Sequence, residues 1–276
     1  MINEILSNQY IFFILLMIPT AMVAGFLAGF FGIGGGIITV PVLFYIFSNF
    51  GIDNNFLMHL AVGTSFSIIV PTAIVSVFTH YKHKAVDFNI VKSYGVFVIL
   101  GVIAGTIFAA SLKTKSLIIF FSILLYLLSI NFFFQKKDSK LKTKFNLILK
   151  IILGTVVGFI SSLTGIGGAI MNVPILKFFK YPINKAIGSS AAIGLLISVF
   201  GSIGFLSSGV YLDIKLPLSI GFINIPAFLI FIPITTVMAR LGAKLLYKVE
   251  RNIITKLFAI FLLFVATKLM FDYFQL

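Results

Sequence analysis

Two short runs hold the residues best suited to binding chemistry: Gly32-Ile33-Gly34-Gly35-Gly36 and Gly165-Ile166-Gly167-Gly168-Ala169. Each Gly costs a helix about 1 kcal/mol relative to Ala, so a cluster of them marks a break rather than a helical turn. A new apolar segment follows each run. Its first N–H groups lack intrahelical partners and carry the positive end of the helix dipole. Two such ends brought together form an anion site that needs no Lys or Arg. Glycine also lets a ligand approach the backbone closely. Side-chain donors follow at matched places: Thr39 and Asn172 at the same position of the two segments, then Thr64-Ser65 and Ser189-Ser190 in the next ones. Pro41 and Pro174 come two residues after Thr39 and Asn172, where each frees a carbonyl of the preceding turn. Together these are the expected substrate-binding residues, with no catalytic role for any of them.

The remaining side chains narrow the chemistry further. The chain has no Cys, which excludes disulfides, thiolate metal sites and a cysteine nucleophile. Three His and seven carboxylates leave little material for a metal centre, so no metal, no cofactor and no enzyme activity are expected. No Asp or Glu falls within an expected span, which argues against a buried carboxylate relay. A Gly-x-x-x-x-Gly-Lys-Ser/Thr motif is also missing, so any ATPase would be a separate subunit. The competing reading of the glycines is helix packing, as expected for Gly25-x-x-x-Gly29, Gly101-x-x-x-Gly105 and Gly154-x-x-x-Gly158. Packing requires small residues four apart, not consecutive glycines ahead of a Pro.

The elements that position these residues follow from composition. Of 276 residues, 60% are apolar and 10% charged, with a mean hydropathy of +1.16. A soluble protein of this size needs far more charge on its surface. The chain reads as an all-α polytopic membrane protein. A span needs about 20 apolar residues, and runs of that order lie at 10–31, 56–79, 88–111, 115–134, 145–163, 184–207, 216–238 and 253–271. Two shorter runs, 37–50 and 169–179, follow the Gly breaks. Residues 1–9 carry Glu4 and no Lys or Arg, so the basic region of a signal peptide is missing and the first apolar run is kept as a span. A basic linker at 135–145 divides the chain into a first transmembrane repeat, 1–134, and a second, 146–276.

The halves repeat each other. Gly25–Leu43 aligns without gaps on Gly158–Leu176, with ten of nineteen positions identical. Ala61–Ser65 echoes Ala186–Ser190, and Val86-Asp87 is matched to Leu212-Asp213, with Ser93 and Gly95 matched to Ser219 and Gly221. Such duplications are typical of transporters. The net charge of +14 belongs to topology rather than nucleic-acid binding, because the cations lie in short clusters between apolar runs. If the two short segments do not cross, Lys and Arg divide evenly between the faces, against the positive-inside rule. If both cross, then of the Lys and Arg outside the spans, with Lys268 left out, only Lys113, Lys115 and Lys215 fall opposite the other seventeen. Each half then has four full spans plus a short Gly-broken segment, giving eight to ten crossings. An odd number per half inverts the halves, with the linker cytoplasmic and both ends periplasmic.

The pattern GFFGIGGGIITVPVL, repeated as SLTGIGGAIMNVPIL, resembles the sulfite exporter family of TauE/SafE-type membrane permeases. Ala61–Ser65 and the loop His80–Asp87 support the resemblance, which extends from Ala24 to about Leu269. It implies transport of small sulfur-containing anions, such as sulfite or organosulfonates, across the bacterial inner membrane. Two departures stand in the second half: Ala169 replaces the last glycine, and Ser161-Ser162 replace Ala-Gly.

Other polar residues have plainer readings. Asp87 and Asp213 suit first helical turns. His80, beside Lys82 and His83, is expected at the membrane interface, with a proton-sensitive gate as the sharper alternative. Asn224 falls mid-span between Pro217 and Pro226, a second-tier lining residue in a bent helix. Arg240 and Lys268 snorkel. The expected function is a secondary carrier, an exporter by direction, working by alternating access around the paired breaks. A passive anion channel and a non-transporting scaffold are the alternatives. The partners are a small anion and the bilayer, with no nucleic acid; coupling to protons or another ion and a homo-oligomer are both compatible with this reading.

Overall fold

The computed structural model describes residues 2–31, 35–134, 145–245 and 251–275. Among them the chain forms ten helices: α1 (Ile2–Phe31), α2 (Gly36–Asn49), α3 (Leu57–Lys82), α4 (Phe88–Ser111), α5 (Thr114–Phe133), α6 (Leu147–Thr164), α7 (Ala169–Phe178), α8 (Ile183–Tyr211), α9 (Ile225–Leu245) and α10 (Arg251–Gln275). Seven of these, α3 to α6 and α8 to α10, are long and apolar enough to cross a membrane. α1 runs for 30 residues. This is an all-α polytopic membrane protein. Large apolar side chains such as Ile107, Phe264 and Leu229 stand exposed on its flanks, the surface that lipid covers.

One expected span is not continuous. The run 216–238 opens with a two-stranded hairpin, β1 (Ser219–Ile220) and β2 (Ile223–Asn224), and helix begins only at Ile225. Ser219 pairs with Asn224 and Ile220 with Ile223. Leu218 and Gly221 both hold positive φ, a conformation that stops a helix. Pro217, with no N–H to donate, adds to the break. Asn224 is therefore not mid-span. It precedes α9, and its Oδ1 accepts the N–H of Ala227 at 3.0 Å, an N-cap bond that satisfies one unpaired donor of the helix start.

Helix pairing follows one exchange rule. α1 packs on α9 and α6 on α4; α3 packs on α9 and α8 on α4; α3 also packs on α8, and α5 on α10. Replacing each helix by the one five places away leaves this set unchanged. Glycines make the close contacts. A methyl at Gly25 would lie 2.6 Å from Thr235 Cα and one at Gly242 2.0 Å from the Phe26 carbonyl. In the other pair, one at Gly158 would lie 2.0 Å from the Val98 carbonyl and one at Gly105 2.8 Å from that of Phe159. Gly25, Gly29, Gly101, Gly105, Gly154 and Gly158 thus serve close helix approach.

The contact order also sets directions. Gly63 faces Phe205, and Ser67 meets Ser202, so α3 and α8 are antiparallel. α1 and α9 are parallel, as are α4 and α6. The loops after α3 and α7 meet, because the Asp87 N–H bonds Ser189 near the start of α8. Burial, and then the nearby Asp87 carboxylate, push the Tyr181 hydroxyl above its ordinary pKa in the loop after α7. At the opposite end, Thr114 donates to the Asn55 carbonyl at 2.7 Å, joining the loops after α2 and α4, and Phe222 packs on Gly63 near the start of α3. Successive helices therefore alternate in direction, the two short ones included. α2 and α7 have 14 and 10 residues, about 21 and 15 Å at 1.5 Å each, against a hydrocarbon core of about 30 Å. Their N-termini consequently start deep inside the bundle.

Candidate functional site

The two breaks lie against each other. Gly35 (φ 80°) precedes α2, Gly165 (φ 66°) ends α6 and Gly168 (φ 64°) precedes α7. All three are in the left-handed region that L side chains rarely adopt. Gly32 and Gly34 lie outside the described residues. A methyl at Gly36 would stand 2.1 Å from the Gly165 carbonyl oxygen, so the start of α2 touches the break before α7. Gly167 presents its carbonyl to Gly194 of α8, where a methyl would lie 2.6 Å away.

The candidate side chains divide into spent and unspent donors. Thr39 donates to the Gly35 carbonyl at 3.1 Å and Ser65 to that of Gly165 at 3.2 Å. The Thr64 hydroxyl accepts the Asn224 N–H at 2.9 Å, as the Ser189 hydroxyl accepts that of Asp87 at 2.9 Å. Asn172 is different. Its Oδ1 accepts the Tyr94 hydroxyl at 2.9 Å while its Nδ2 has no partner. Ser161 and Ser190 hydroxyls are likewise unpaired, and all three side chains are 0% exposed. A methyl at Gly168 would meet Ser161 Oγ at 3.0 Å and Asn172 Nδ2 at 3.5 Å, so both surround the start of α7. Ser190 stands one turn before Gly194 on the α8 face that packs on this break. A buried donor left unpaired costs about 1–3 kcal/mol; an acceptor supplied by a ligand removes that cost. Pro41 is half-buried and Pro174 exposed, so neither is drawn in with the buried donors.

Two expectations change, for Asn224 and Asp213, and His80 is placed more closely: in the last turn of α3 it is 1% exposed, and neither ring nitrogen has a hydrogen-bond partner. Asn224 is a cap whose backbone is tied to Thr64, outside the paired breaks. Asp213 is not the counterpart of Asp87. Asp87 stands 11 residues before Val98 and Asn224 11 before Thr235, and these contact the equivalent Gly158 and Gly25. Asp213 begins the extra hairpin segment, exposed and 3.4 Å from Lys215. Tyr94 and Ser161 were not among the expected binding residues. A lone Tyr in an apolar span has no spacing that marks it, whereas Ser161 was visible as a departure from the motif.

Comparison with known proteins bears on what this arrangement serves. Residues 17–269 match the family described as Sulfite exporter TauE/SafE. The chain belongs to that family. A probable membrane transporter protein of Haemophilus influenzae is 35% identical over 255 residues, 92% of this chain and 97% of that protein. One from Methanocaldococcus jannaschii is 31% identical over 242 residues, 86% of this chain and 89% of its own length. No solved structure matches. This TauE/SafE chain is a membrane transporter, and among the described residues no cluster of three or more His, Cys, Asp or Glu is placed to hold a metal ion.

Proposed function

We propose that this chain is a bacterial inner-membrane secondary transporter that exports a small sulfur-containing anion, sulfite or an organosulfonate. The substrate sits at the paired glycine breaks, between two inverted repeats at 1–134 and 146–276. The 135–145 linker is cytoplasmic and both ends are periplasmic. The observation that carries this reading is the meeting of the two breaks, Gly36 against Gly165, beside buried donors with no partner at the start of α7. Helix N-termini bind anions without a buried cation, and non-helical backbone persists at membrane depth only where protein or a cavity satisfies it. Antiparallel α3 and α8 support inversion of the halves. Thr39, Ser65, Asn172 and Ser190 are each at most 1% exposed, which favours the occluded state of a carrier over an open channel.

The test is sulfite and methanesulfonate flux in proteoliposomes. Transport above empty liposomes, stimulated by substrate on the far side, is expected. Flux without trans-stimulation would make the protein a channel, and no flux of either anion would refute the substrate assignment.

A further inference from the structure

The geometry points to a one-sided site: the second half supplies the side-chain donors that read the substrate, and Tyr94 aims the principal one. This rests on the transporter reading above and concerns how its site recognises an anion. The two halves are matched in position but not in chemistry. In the first half the three equivalent places are Ala28, Thr39 and Ser65. Ala28 has no polar atom, Thr39 donates to Gly35, and Ser65 donates to Gly165. In the second half they are Ser161, Asn172 and Ser190, and each has a donor without a partner in a fully buried position.

Asn172 sets the polarity. An amide can present either its oxygen or its NH2 group to a ligand. The Tyr94 hydroxyl donates to Oδ1 at 2.9 Å, which leaves Nδ2 as the group available beside Gly168. The start of α7, a 10-residue helix, adds the positive end of its dipole at the same place. What fits is an oxygen of a small oxyanion, an acceptor only. A ligand group that must donate has on Asn172 only the second lone pair of an Oδ1 that already accepts from Tyr94. Tyr94, from α4, acts through Asn172 and is a positioning residue.

The experiment is isothermal titration of the purified full-length protein in detergent with sodium sulfite and with methanesulfonate, each variant first checked by elution volume. Asn172→Thr, which installs the first-half residue, is expected to weaken binding at least tenfold more than Thr39→Val. Ser161→Ala gives the same comparison if Asn172→Thr does not fold. Tyr94→Phe should weaken binding about fivefold in the native background and not further in Asn172→Thr, because its effect passes through the amide. Equal losses from Thr39→Val and Asn172→Thr, or from Tyr94→Phe in both backgrounds, would overturn the one-sided site alone. Failure of the native protein to bind either anion would instead remove the substrate reading on which it stands.

Discussion

The carbonyl oxygen of Gly165 occupies the space that any side chain on Gly36 would need, 2.1 Å from where its Cβ would stand. The residues are far apart in sequence, one at the start of α2 and one at the end of α6. Backbone meets backbone there, and a backbone oxygen does not swing aside as a flexible side chain does.

Gly36→Ala should therefore separate the breaks. Overpacking of this kind typically costs about 1–3 kcal/mol. A lowered melting temperature in detergent and transport reduced at least tenfold are expected. Native transport by this variant would show that the contact is not required.

Gly168→Leu meets two obstacles, the positive φ and Ile197 Cδ1 at 2.2 Å. It should abolish transport while membrane insertion, read by fractionation, persists. Full activity would move the site elsewhere.

The hydroxyls of Thr64 and Ser189 perform the same task, each receiving the N–H of a helix-capping residue. Thr64→Val should destabilise by about 1–3 kcal/mol, since it leaves a buried N–H unpaired, and Ser189→Ala by an amount toward the lower end of that range, since the Asp87 N–H is part-buried. Thermal denaturation of the two variants checks this. A much larger loss from one than from the other would show that the two contacts are not equivalent.

His80 predicts the opposite sign. Its ring is buried with neither nitrogen paired, so His80→Leu should raise the melting temperature. If it also lowers sulfite flux, the histidine is retained for transport at a cost in stability. An unchanged or lower melting temperature would mean that the ring finds partners in the native membrane.

A chain with no cysteine is ready for topology mapping. Lys215→Cys should react with an impermeant maleimide added to intact spheroplasts, whereas Lys84→Cys and Lys180→Cys should react only after lysis. The reverse pattern would invert the proposed orientation.

The helices were largely legible because apolar length in lipid leaves the backbone few alternatives. The breaks were legible for the complementary reason, since glycine clusters weaken helix whatever surrounds them. The hairpin was not. Residues 216–224 are as apolar as a span, and hydropathy does not register that Leu218 and Gly221 turn the backbone left-handed. For the same reason hydropathy sets Asn224 mid-span, and the residue type that Asp213 shares with Asp87 hides that Asn224 holds the matching place. The charged neighbours of His80 in sequence do not register that its side chain is buried in the protein. The Tyr94–Asn172 bond joins residues on α4 and α7, a relation no local pattern encodes.

The hairpin that precedes α9 has no equivalent in the first half. There the chain turns tightly through Ala85 to reach Asp87. Both Ala85 and Phe222 are buried, but Phe222 sets an aromatic ring against His59 and Phe205, while Ala85 sets a single methyl against Gly188. Burying a large apolar side chain contributes about 1.5–3 kcal/mol, and a difference of 1.4 kcal/mol is tenfold in a two-state population. In the proposed alternating-access cycle, a state opening at Phe222 would give up more burial than one opening at Ala85. A perfectly duplicated transporter would rest equally often facing either compartment. Under the proposed alternating access, closing the hairpin side would bury the larger side chain, so one aromatic ring would bias the resting exposure while the gradients set the net direction.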